Sequence, residues 1–438
     1  MTQIDQLLHA KWIITCEENN QVLNDHSIAI HQEKILSILP TADAKKQYQA
    51  TTERHFADHA LLPGFINAHT HMTMNAFRGL GDDLELMTWL RSYIWPAEGK
   101  WLSSELVYDM SRLAMAEMIR GGTTCFNDMY FFLEETAKAA EEAHMRGFIG
   151  MHIMDVPNAW ARTIPECFEK SLIFYEQYKQ HPLITPTISP QSTYTVDIDT
   201  LGKIKALAEK YDLQINIHLQ ESPTEVDYSM THFNRRAVQR LHDIGMISPR
   251  LIAMHVTQID QRDREIIEEM KPNIVHCPES NMKLASGICP VQSLLDAGVN
   301  IALGTDGAAS NNNLDMLGEM HTAALLGKLG TMDACALSAE TVLKMATING
   351  AKALRIDDRT GSLTPGKEAD IIAINLAGFI ETVPVYHPVS QIVYAASREQ
   401  ITDVWIKGKP VLRDRTLLTL DAEALISKAK AWGKRITA

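Results

Sequence analysis

Histidine side chains that could bind a metal ion stand where apolar segments of this 438-residue chain end. His69 and His71 close the segment LLPGFINAHTH. Because their spacing matches the two-residue period of a strand, both imidazoles project from one face and can bind one ion. A His-x-His pair is a weak signal alone, since a structural role explains it equally well.

Three further ligand-type residues each follow an apolar run directly: His218 in INIHLQES, His255 in IAMHVTQ and Asp306 in IALGTDGAASNNN. A single histidine in such a place is more often a hydrogen-bonded core group. That explanation weakens when four strand ends carry ligand-type residues, because the carboxyl ends of barrel strands meet at one rim. The set therefore predicts a metal centre.

The elements that must position these residues alternate between short apolar runs and longer helical patterns, which favours a parallel sheet of the α/β class. A doubly wound open sheet is the alternative, but no Gly-x-Gly-x-x-Gly follows any run. We expect a TIM-like (β/α)₈ barrel over residues 61–360. Its eight strands are predicted in LLPGFINAHTH, GTTCFND, RGFIGMHIMD, LITPTIS, QINIHLQ, RLIAMHV, NIVHCP and NIALGTD.

The sequence pattern differs at both ends of the chain, where short apolar strands are separated by polar turns that contain Gly or Pro. Residues 1–60 and 361–438 are predicted to fold together into a small β-sandwich domain. Its strands are expected in WIITC, SIAIHQEKILSIL, GSLTPGKEADIIAINL, QIVYAAS and ITDVWIKGKPVL. The segment DAEALISKAKAWGKR is predicted to be a surface helix.

Composition excludes several classes of protein. Hydrophobic residues make up 45% and charged residues 22%, as in ordinary globular proteins. The net charge of −13 disfavours nucleic acid as a partner. The start MTQIDQLLHAKW does not resemble a signal peptide, and no apolar run is long enough to span a membrane. We expect a cytoplasmic enzyme with a small-molecule substrate that forms a homo-oligomer, a dimer or a tetramer.

An ordered series of motifs resembles the amidohydrolase superfamily, and within it the methylthioadenosine/S-adenosylhomocysteine deaminase branch, which is similar to the triazine hydrolases. The motifs that carry the resemblance span nearly the whole chain. They are PGFINAHTH, FRGLGDDLELMTWL, WPAEGKW, RGGTTCFND, HLQES, HCPESNMKLASG, GTDGAASNNNLDM and GSLTPGKEADII. WPAEGKW and GTDGAASNN point most narrowly to the nucleoside deaminases.

The resemblance implies one metal ion per subunit, bound by His69, His71, His218 and Asp306 with a water molecule in the remaining position. Three imidazoles and a carboxylate suit Zn²⁺, with Fe²⁺ and Mn²⁺ as alternatives. Relatives with two metals commonly bridge them by a carboxylated lysine on the fourth strand. The fourth predicted strand, LITPTISPQSTY, contains no lysine, which favours a single ion.

Catalytic roles follow from the same resemblance. Asp306 is expected to take a proton from the water, which a metal ion acidifies. His255 is implied to lie outside the ligand set and to hydrogen-bond the attacking oxygen. Glu221, three residues after His218, is expected to protonate the ring nitrogen beside the reacting carbon. The competing explanation for Glu221 is a solvated loop carboxylate.

The resemblance also indicates residues that contact the substrate. Glu98 in WPAEGKW is implied to accept hydrogen bonds from both ribose hydroxyls of a nucleoside. Trp89 is expected to flank the purine or the 5′ substituent, with Trp95 and Trp101 as alternatives and a core role as the competing explanation. Ser310, four residues after the predicted aspartate ligand, either orients that carboxylate or caps the next helix.

One predicted substrate contact departs from the pattern of this branch. In PQSTY, Gln191 stands where the deaminases usually have a histidine. Glutamine donates and accepts hydrogen bonds but carries no charge. The departure leaves open whether the 5′ group is methylthio, homocysteinyl, hydrogen or hydroxyl, and whether the substrate is a nucleoside. Near the barrel mouth, Asn281 and Lys283 resemble a loop motif that closes around it.

The predicted reaction is hydrolytic deamination of methylthioadenosine, S-adenosylhomocysteine, 5′-deoxyadenosine or adenosine to the inosine analogue and ammonia. An alternative keeps the metal but takes a free heterocycle, namely guanine, a pterin, a cytosine-like base or a chlorinated s-triazine. A non-catalytic barrel homologue is a third interpretation. Four intact predicted ligands argue against it.

Overall fold

Two eight-stranded sheets form the framework of the computed structural model, which describes residues 1–17 and 21–437. The strands of these residues are β1 (Thr2–Ile14), β2 (Val22–His31), β3 (Lys34–Pro40), β4 (Tyr48–Pro63), β5 (Phe65–Thr70), β6 (Thr123–Tyr130), β7 (Arg146–Ile153), β8 (Ile184–Pro190), β9 (Ile215–Leu219), β10 (Leu251–His255), β11 (Asn273–His276), β12 (Ile301–Leu303), β13 (Ile371–Asn375), β14 (Ile401–Ile406), β15 (Lys409–Arg413) and β16 (Thr416–Leu417).

Helices connect and cover these strands. The α-helices of the described residues are α1 (Thr41–Gln47), α2 (Leu86–Trp89), α3 (Trp95–Trp101), α4 (Ser104–Arg120), α5 (Leu133–Ala143), α6 (Ile164–Tyr178), α7 (Ile198–Tyr211), α8 (Pro223–Phe233), α9 (Ala237–Asp243), α10 (Gln261–Met270), α11 (Pro278–Lys283), α12 (Val291–Asp296), α13 (Met316–Thr331), α14 (Ala339–Met345), α15 (Ile348–Ala353), α16 (Pro388–Tyr394) and α17 (Ala422–Ile436). Two 3₁₀ helices, Met72–Phe77 and Arg398–Gln400, and a π-helical turn, Leu90–Ile94, complete the elements of the same residues.

The barrel is a parallel sheet in which each strand pairs with the next along the chain, from β5 to β12. Strands β5, β6 and β7 are buried at every position, as expected when both faces of a parallel sheet are covered. The sheet closes where the backbone N–H of Asp306, just after β12, donates to the carbonyl of His69 in β5 at 3.0 Å. Each of the eight predicted segments overlaps one of these strands, so the (β/α)₈ prediction is confirmed.

A network of buried amides crosses the barrel interior. Asn67 Nδ2 donates to Thr305 Oγ1 at 2.8 Å, and Asn127 Nδ2 donates to Asn216 Oδ1 at 3.0 Å. Each of these side chains is buried. Because buried hydrogen-bond networks with satisfied partners fix side-chain positions, this network holds the strands that carry the predicted ligands.

The second sheet is built from both ends of the chain, in the order β16-β15-β14-β13-β4-β1-β2-β3. Its pairs are antiparallel except for β1 with β4, and the two chain ends join where β4 pairs with β13, Leu61 opposite Ala373. Trp405 Nε1 in β14 donates to Gln6 Oε1 in β1 at 3.0 Å, so the sheet curls over a core of its own. The predicted second β unit is therefore one continuous sheet, and β4 runs past the predicted boundary at residue 60.

A buried ion pair joins this small sheet to the barrel. Arg146, the first residue of β7, donates from Nε to Asp370 Oδ2 at 3.0 Å, and both side chains are almost fully buried. Asp370 Oδ1 accepts from the backbone N–H of Lys407 at 2.7 Å. The carboxylate therefore connects the base of the barrel to two strands of the small sheet.

The strand predicted in QIVYAAS is wrong, because most of this segment belongs to helix α16. Pro388 occupies the first turn, where proline is tolerated, and Val389, Ile392 and Val393 are buried. Their spacing is that of one helical face, which a short apolar run does not distinguish from a strand. The predicted C-terminal helix is confirmed as α17, although its Trp432 is buried and donates to Asp109 Oδ2 at 2.9 Å.

Candidate active site

Four predicted ligands meet at the carboxyl ends of the barrel strands. One ligand atom from each of His69, His71, His218 and Asp306 lies within 4.8 Å of the others, and all four residues are buried. Asp306 Oδ1 is 3.3 Å from Nε2 of His69 and 3.3 Å from Nε2 of His71. His71 Nε2 is 3.2 Å from His218 Nε2. Residues more than 230 positions apart in the chain thus form one cluster.

Backbone carbonyls fix the orientation of two of these imidazoles. His71 Nδ1 donates to the carbonyl of Met129 at 2.7 Å, and His218 Nδ1 donates to that of Gln191 at 2.8 Å. Because a carbonyl only accepts, Nδ1 of each ring carries the hydrogen and Nε2 presents a lone pair to the cluster. Two lone pairs 3.2 Å apart repel each other unless a cation lies between them.

The environment of His69 independently indicates a bound cation. It is fully buried, yet among the described residues neither of its ring nitrogens has a hydrogen-bond partner. Leaving a buried polar group unpaired is costly, so the two orphaned nitrogens point to a missing partner. Three imidazoles and a carboxylate are a donor set for a divalent metal ion, and the cluster fits one.

Electrostatics keep the cluster in its metal-binding form at neutral pH. Burial lowers the pKa of His69 to about 4 and that of His218 well below its ordinary value. Burial opposes ionisation of Asp306, but the adjacent imidazoles of His69, His71 and His255 hold the pKa of its carboxyl well below the usual range. Neutral imidazoles beside an ionised carboxylate are the protonation states that metal binding requires.

Two hydroxyl groups hold the other oxygen of Asp306. Ser280 Oγ and Ser310 Oγ each donate to Asp306 Oδ2 at 2.7 Å, which leaves Oδ1 to face the histidines. Asp306 has a left-handed backbone with φ of 59°, a conformation that is rare for residues other than glycine and is often found at functional sites. Of the two roles considered for Ser310, the geometry matches orientation of the carboxylate.

His255 lies beside the cluster but outside the group of four. Its ring centroid is 5.8 Å from that of His69, and its Nδ1 accepts from Asn281 Nδ2 at 3.0 Å. In the neutral ring this leaves the hydrogen on Nε2, which is 3.9 Å from Glu221 Oε2. His255 also has a positive φ, of 71°.

Glu221 is a nearly buried carboxyl group. Burial, with a smaller contribution from the charge of Asp306, raises its pKa to about 8. A second acidic side chain, Glu225, accepts from the backbone N–H of Glu221 at 2.9 Å, and burial raises the pKa of Glu225 to about 7. Glu221 is thus mostly protonated at neutral pH and can donate a proton.

A cavity of about 300 Å³ opens beside His71. Its wall is mainly apolar and aromatic. Residues along it include Trp95, Glu98, Leu102, Met129, Tyr130, Phe131, His152, Met154, Val156, Gln191 and Tyr194. A space of this size and lining is typical of a small-molecule site.

Glu98 is the acidic side chain of the cavity wall. Tyr130 Oη donates to its Oε1. Burial raises the pKa of Glu98 to about 7, against the opposing effect of the tyrosine hydrogen bond. Helix α3, which carries Glu98, follows the π-helical turn above the barrel mouth.

Trp89 and Trp95, two of the tryptophans considered as substrate contacts, lie in different environments. Trp89 is buried in an apolar cluster, where its Nε1 donates to the carbonyl of Leu80 at 3.1 Å, and it is not among the residues that line the cavity. Trp95, which is 40% exposed, lines the cavity. Trp89, which was predicted to flank the substrate, is therefore a core residue. Trp95, the alternative considered in the sequence, is the tryptophan that lines the cavity.

His152 was missed in the sequence, although it is the second-last residue of β7, as His69 and His218 are of their strands. It lines the cavity, packs edge-on against Phe131 with centroids 4.7 Å apart, and is buried. Its Nδ1 has no hydrogen-bond partner within residues 1–17 and 21–437. Burial lowers the pKa of His152 to about 3, so the ring is neutral and offers a polar atom to a ligand.

Comparison with known proteins agrees with this geometry. A model described as the amidohydrolase family matches residues 60–411. The 5-methylthioadenosine/S-adenosylhomocysteine deaminase of Teredinibacter turnerae is 42% identical over 437 residues, which cover 100% of this chain and 99% of that protein. The 5′-deoxyadenosine deaminase of Methanosphaera stadtmanae is 40% identical over 398 residues, or 91% of each chain.

A solved structure is similarly close. The crystal structure of an adenosine deaminase from Xanthomonas campestris with bound zinc has a TM-score of 0.98 and 42% identity, with 99% of each chain covered. Within the described residues, no helix has the length and hydropathy needed to span a membrane.

Proposed function

We propose that this chain, which belongs to the amidohydrolase family and hydrolyses C–N bonds, deaminates adenosine-like nucleosides with the help of a divalent metal ion. The reaction converts methylthioadenosine, 5′-deoxyadenosine, adenosine or S-adenosylhomocysteine to the inosine analogue and ammonia. The observation that supports this best is that His71, a member of the ligand cluster, and Glu98 line the same cavity.

We propose that the metal ion is Zn²⁺, held by His69, His71, His218 and Asp306. Their imidazole and carboxylate donors are those that zinc prefers. A zinc ion bound there supplies Lewis acidity that activates water at neutral pH. Asp306 accepts the proton that the water releases, since its carboxyl stays ionised at neutral pH.

Glu221 and His255 act on different atoms of the reacting group in this proposal. Glu221 protonates the ring nitrogen next to the amino group, because its raised pKa keeps it protonated near neutrality. His255 donates a hydrogen bond from Nε2 to the attacking oxygen and stabilises the charge that develops there, since Asn281 occupies Nδ1. Asp306 then returns the proton it took from water to the departing amine, which leaves as ammonia, and the proton of the added hydroxyl group returns to Glu221.

Glu98 is proposed to bind the ribose. One of its oxygens is held by Tyr130, and a carboxylate can accept hydrogen bonds from both vicinal hydroxyls of a nucleoside. Trp95, His152 and Gln191 line the same cavity and are proposed to contact the base or the 5′ substituent. Ser310 serves the site by orienting Asp306 and not by touching the substrate.

The composition of the cavity wall favours some 5′ groups of the four nucleosides over others. Among the described residues its lining contains no lysine or arginine, and Leu102, Met129, Met154 and Val156 make much of it apolar. A homocysteine group carries a carboxylate that needs a cationic or multiply hydrogen-bonding partner when buried. We therefore expect a methylthio, hydrogen or hydroxyl 5′ group to give a higher kcat/KM than a homocysteinyl group.

The test is an ultraviolet absorbance assay with the metal-loaded enzyme and each nucleoside in turn, paired with measurement of ammonia. Methylthioadenosine, 5′-deoxyadenosine and adenosine are expected to be converted faster than S-adenosylhomocysteine. An Asp306→Asn variant, which loses a proposed ligand and proton acceptor, provides the inactive control. If none of the four nucleosides is deaminated, the proposal is wrong; faster release of ammonia from free adenine or guanine would favour a free-base deaminase instead.

A further inference from the structure

A second group of metal-ligand residues lies in the small sheet. His9 in β1 pairs with His55 in the neighbouring parallel strand β4, and Glu53 is two residues before His55. Residues two apart in a strand share a face, so all three side chains lie on the same face of the sheet. One ligand atom from each lies within 4.8 Å of the others. We refer to these three residues as the sheet site.

The tautomer of His9 is set by its neighbours. His9 is 4% exposed, and its Nδ1 is 2.6 Å from Ser27 Oγ. Ser27 Oγ donates its only hydrogen to Thr41 Oγ1 at 3.0 Å, so it accepts from His9. In the neutral ring, Nδ1 therefore carries the hydrogen and Nε2 has a free lone pair, which is the form that binds metal ions.

That lone pair faces another acceptor. His9 Nε2 is buried and lacks a hydrogen-bond partner among the described residues, and Glu53 Oε2 is 3.6 Å away. The ring of His55 stacks on that of His9, with centroids 4.4 Å apart. A lone pair opposite a carboxylate is unfavourable unless a proton or a metal cation lies between them.

A proton is the weaker of these two occupants. Burial and the neighbouring His55 lower the pKa of His9, against the opposing effect of Glu53. Lys45, on helix α1, also disfavours the protonated ring. The buried Nε2 of His9, which lies 3.6 Å from Glu53 Oε2, is the geometric feature that a metal ion would satisfy.

We propose that His9, His55 and Glu53 bind a divalent transition-metal ion, with solvent completing its coordination. Two imidazoles and one carboxylate suit Zn²⁺, Ni²⁺ or Cu²⁺. Ligand atoms about 2.1 Å from a tetrahedral ion are about 3.4 Å apart. The side chains of Glu53 and His55 are exposed and can move towards the ion, whereas the buried side chain of His9 stays in place. The ion joins β1 to β4 and takes no part in deamination.

The test measures zinc bound per chain in the untagged full-length enzyme, first after dialysis against zinc-free buffer and then during titration with ZnCl₂. The wild type is expected to bind one equivalent more than the variants His55→Ala and Glu53→Gln, whose exposed side chains can be replaced without disturbing the core. His26→Ala, which removes a histidine of β2 outside the sheet site, is the matched control and is expected to keep the extra equivalent.

A gain of affinity provides a second readout. Lys45→Met removes the nearby positive charge, and one unit charge about 4 Å away in water changes the affinity for a divalent ion by about thirtyfold. The dissociation constant of the extra equivalent is expected to fall by about that factor, and the thermal unfolding midpoint at fixed zinc to rise. A wild type without the extra equivalent, or a His55→Ala, Glu53→Gln double variant that retains it, would overturn the proposal.

Discussion

Replacing Glu221 with glutamine tests the proposed acid directly. With the pKa raised to about 8, about ten protonated carboxyl groups exist for each ionised one at pH 7. At the ordinary pKa of 4.5, fewer than one in about 300 would be protonated. Burial thus increases the available acid by about 300-fold at pH 7, a factor within the usual contribution of general acid catalysis, about 10² to 10⁴.

Glu221→Gln keeps the size of the side chain but has no acidic proton to give. We expect kcat for methylthioadenosine or adenosine to fall by about 10² to 10⁴. The wild-type rate should also decline as the pH rises through about 8, because the acid must be protonated to act and ionises above its pKa. This alkaline decline should be absent from the residual activity of the variant.

Glu225→Gln is the matched control, because Glu225 is also a buried carboxyl group with a raised pKa, but its contact is with the backbone of Glu221. Glutamine still accepts that hydrogen bond, so this variant should retain the alkaline decline near pH 8. Initial rates from pH 6 to 10, followed by ultraviolet absorbance at saturating substrate, separate the cases. A Glu221→Gln enzyme with more than about one tenth of the wild-type kcat would refute the acid role.

Three further predictions concern binding, metal affinity and stability. Glu98→Gln removes charge-assisted hydrogen bonds to the ribose, so KM for nucleosides should rise by about tenfold or more in initial-rate measurements, and an unchanged KM would contradict ribose binding. Ser310→Ala deletes one of two donors to Asp306 Oδ2, so zinc affinity measured by chelator competition should fall by about tenfold, whereas equal affinity would mean that the serine only caps the loop. Arg146→Met leaves Asp370 buried without its cation and should lower the free energy of unfolding in urea by about 3–5 kcal/mol, a loss that a surface pair such as Arg262 with Glu265 should not reproduce.

The barrel was predictable because its strands are short, contain apolar residues at most buried positions and are followed by helical patterns. Ligand-type residues at four strand ends could be brought together by the rule that those ends share a rim. The same reasoning failed for QIVYAAS, since an apolar run of this length fits both a strand and a buried helix, and packing against neighbouring helices decided the outcome.

The finer parts of the site depend on geometry that the sequence does not encode locally. The π-helical turn Leu90–Ile94 lies between Trp89, which is buried, and Trp95, which lines the cavity. A π turn changes the helical phase of the residues after it, and the sequence does not reveal such a turn. Ser280 reaches Asp306 from helix α11, which follows a different strand, so no sequence spacing could reveal the contact. His152 had a detectable signal, the same strand-end position as the ligands, but nothing in the sequence distinguished it from a core histidine.

The joining of both chain ends in one sheet affects how the protein is made. Strand β4 leaves the ribosome long before its partner β13, and the whole barrel is synthesised between them. During translation the edge of β4 therefore exposes unpaired backbone groups, the kind of edge that recruits other chains. Release of residues 371–417 covers this edge, so a message truncated near residue 360 should yield an aggregating product even though every barrel strand is present.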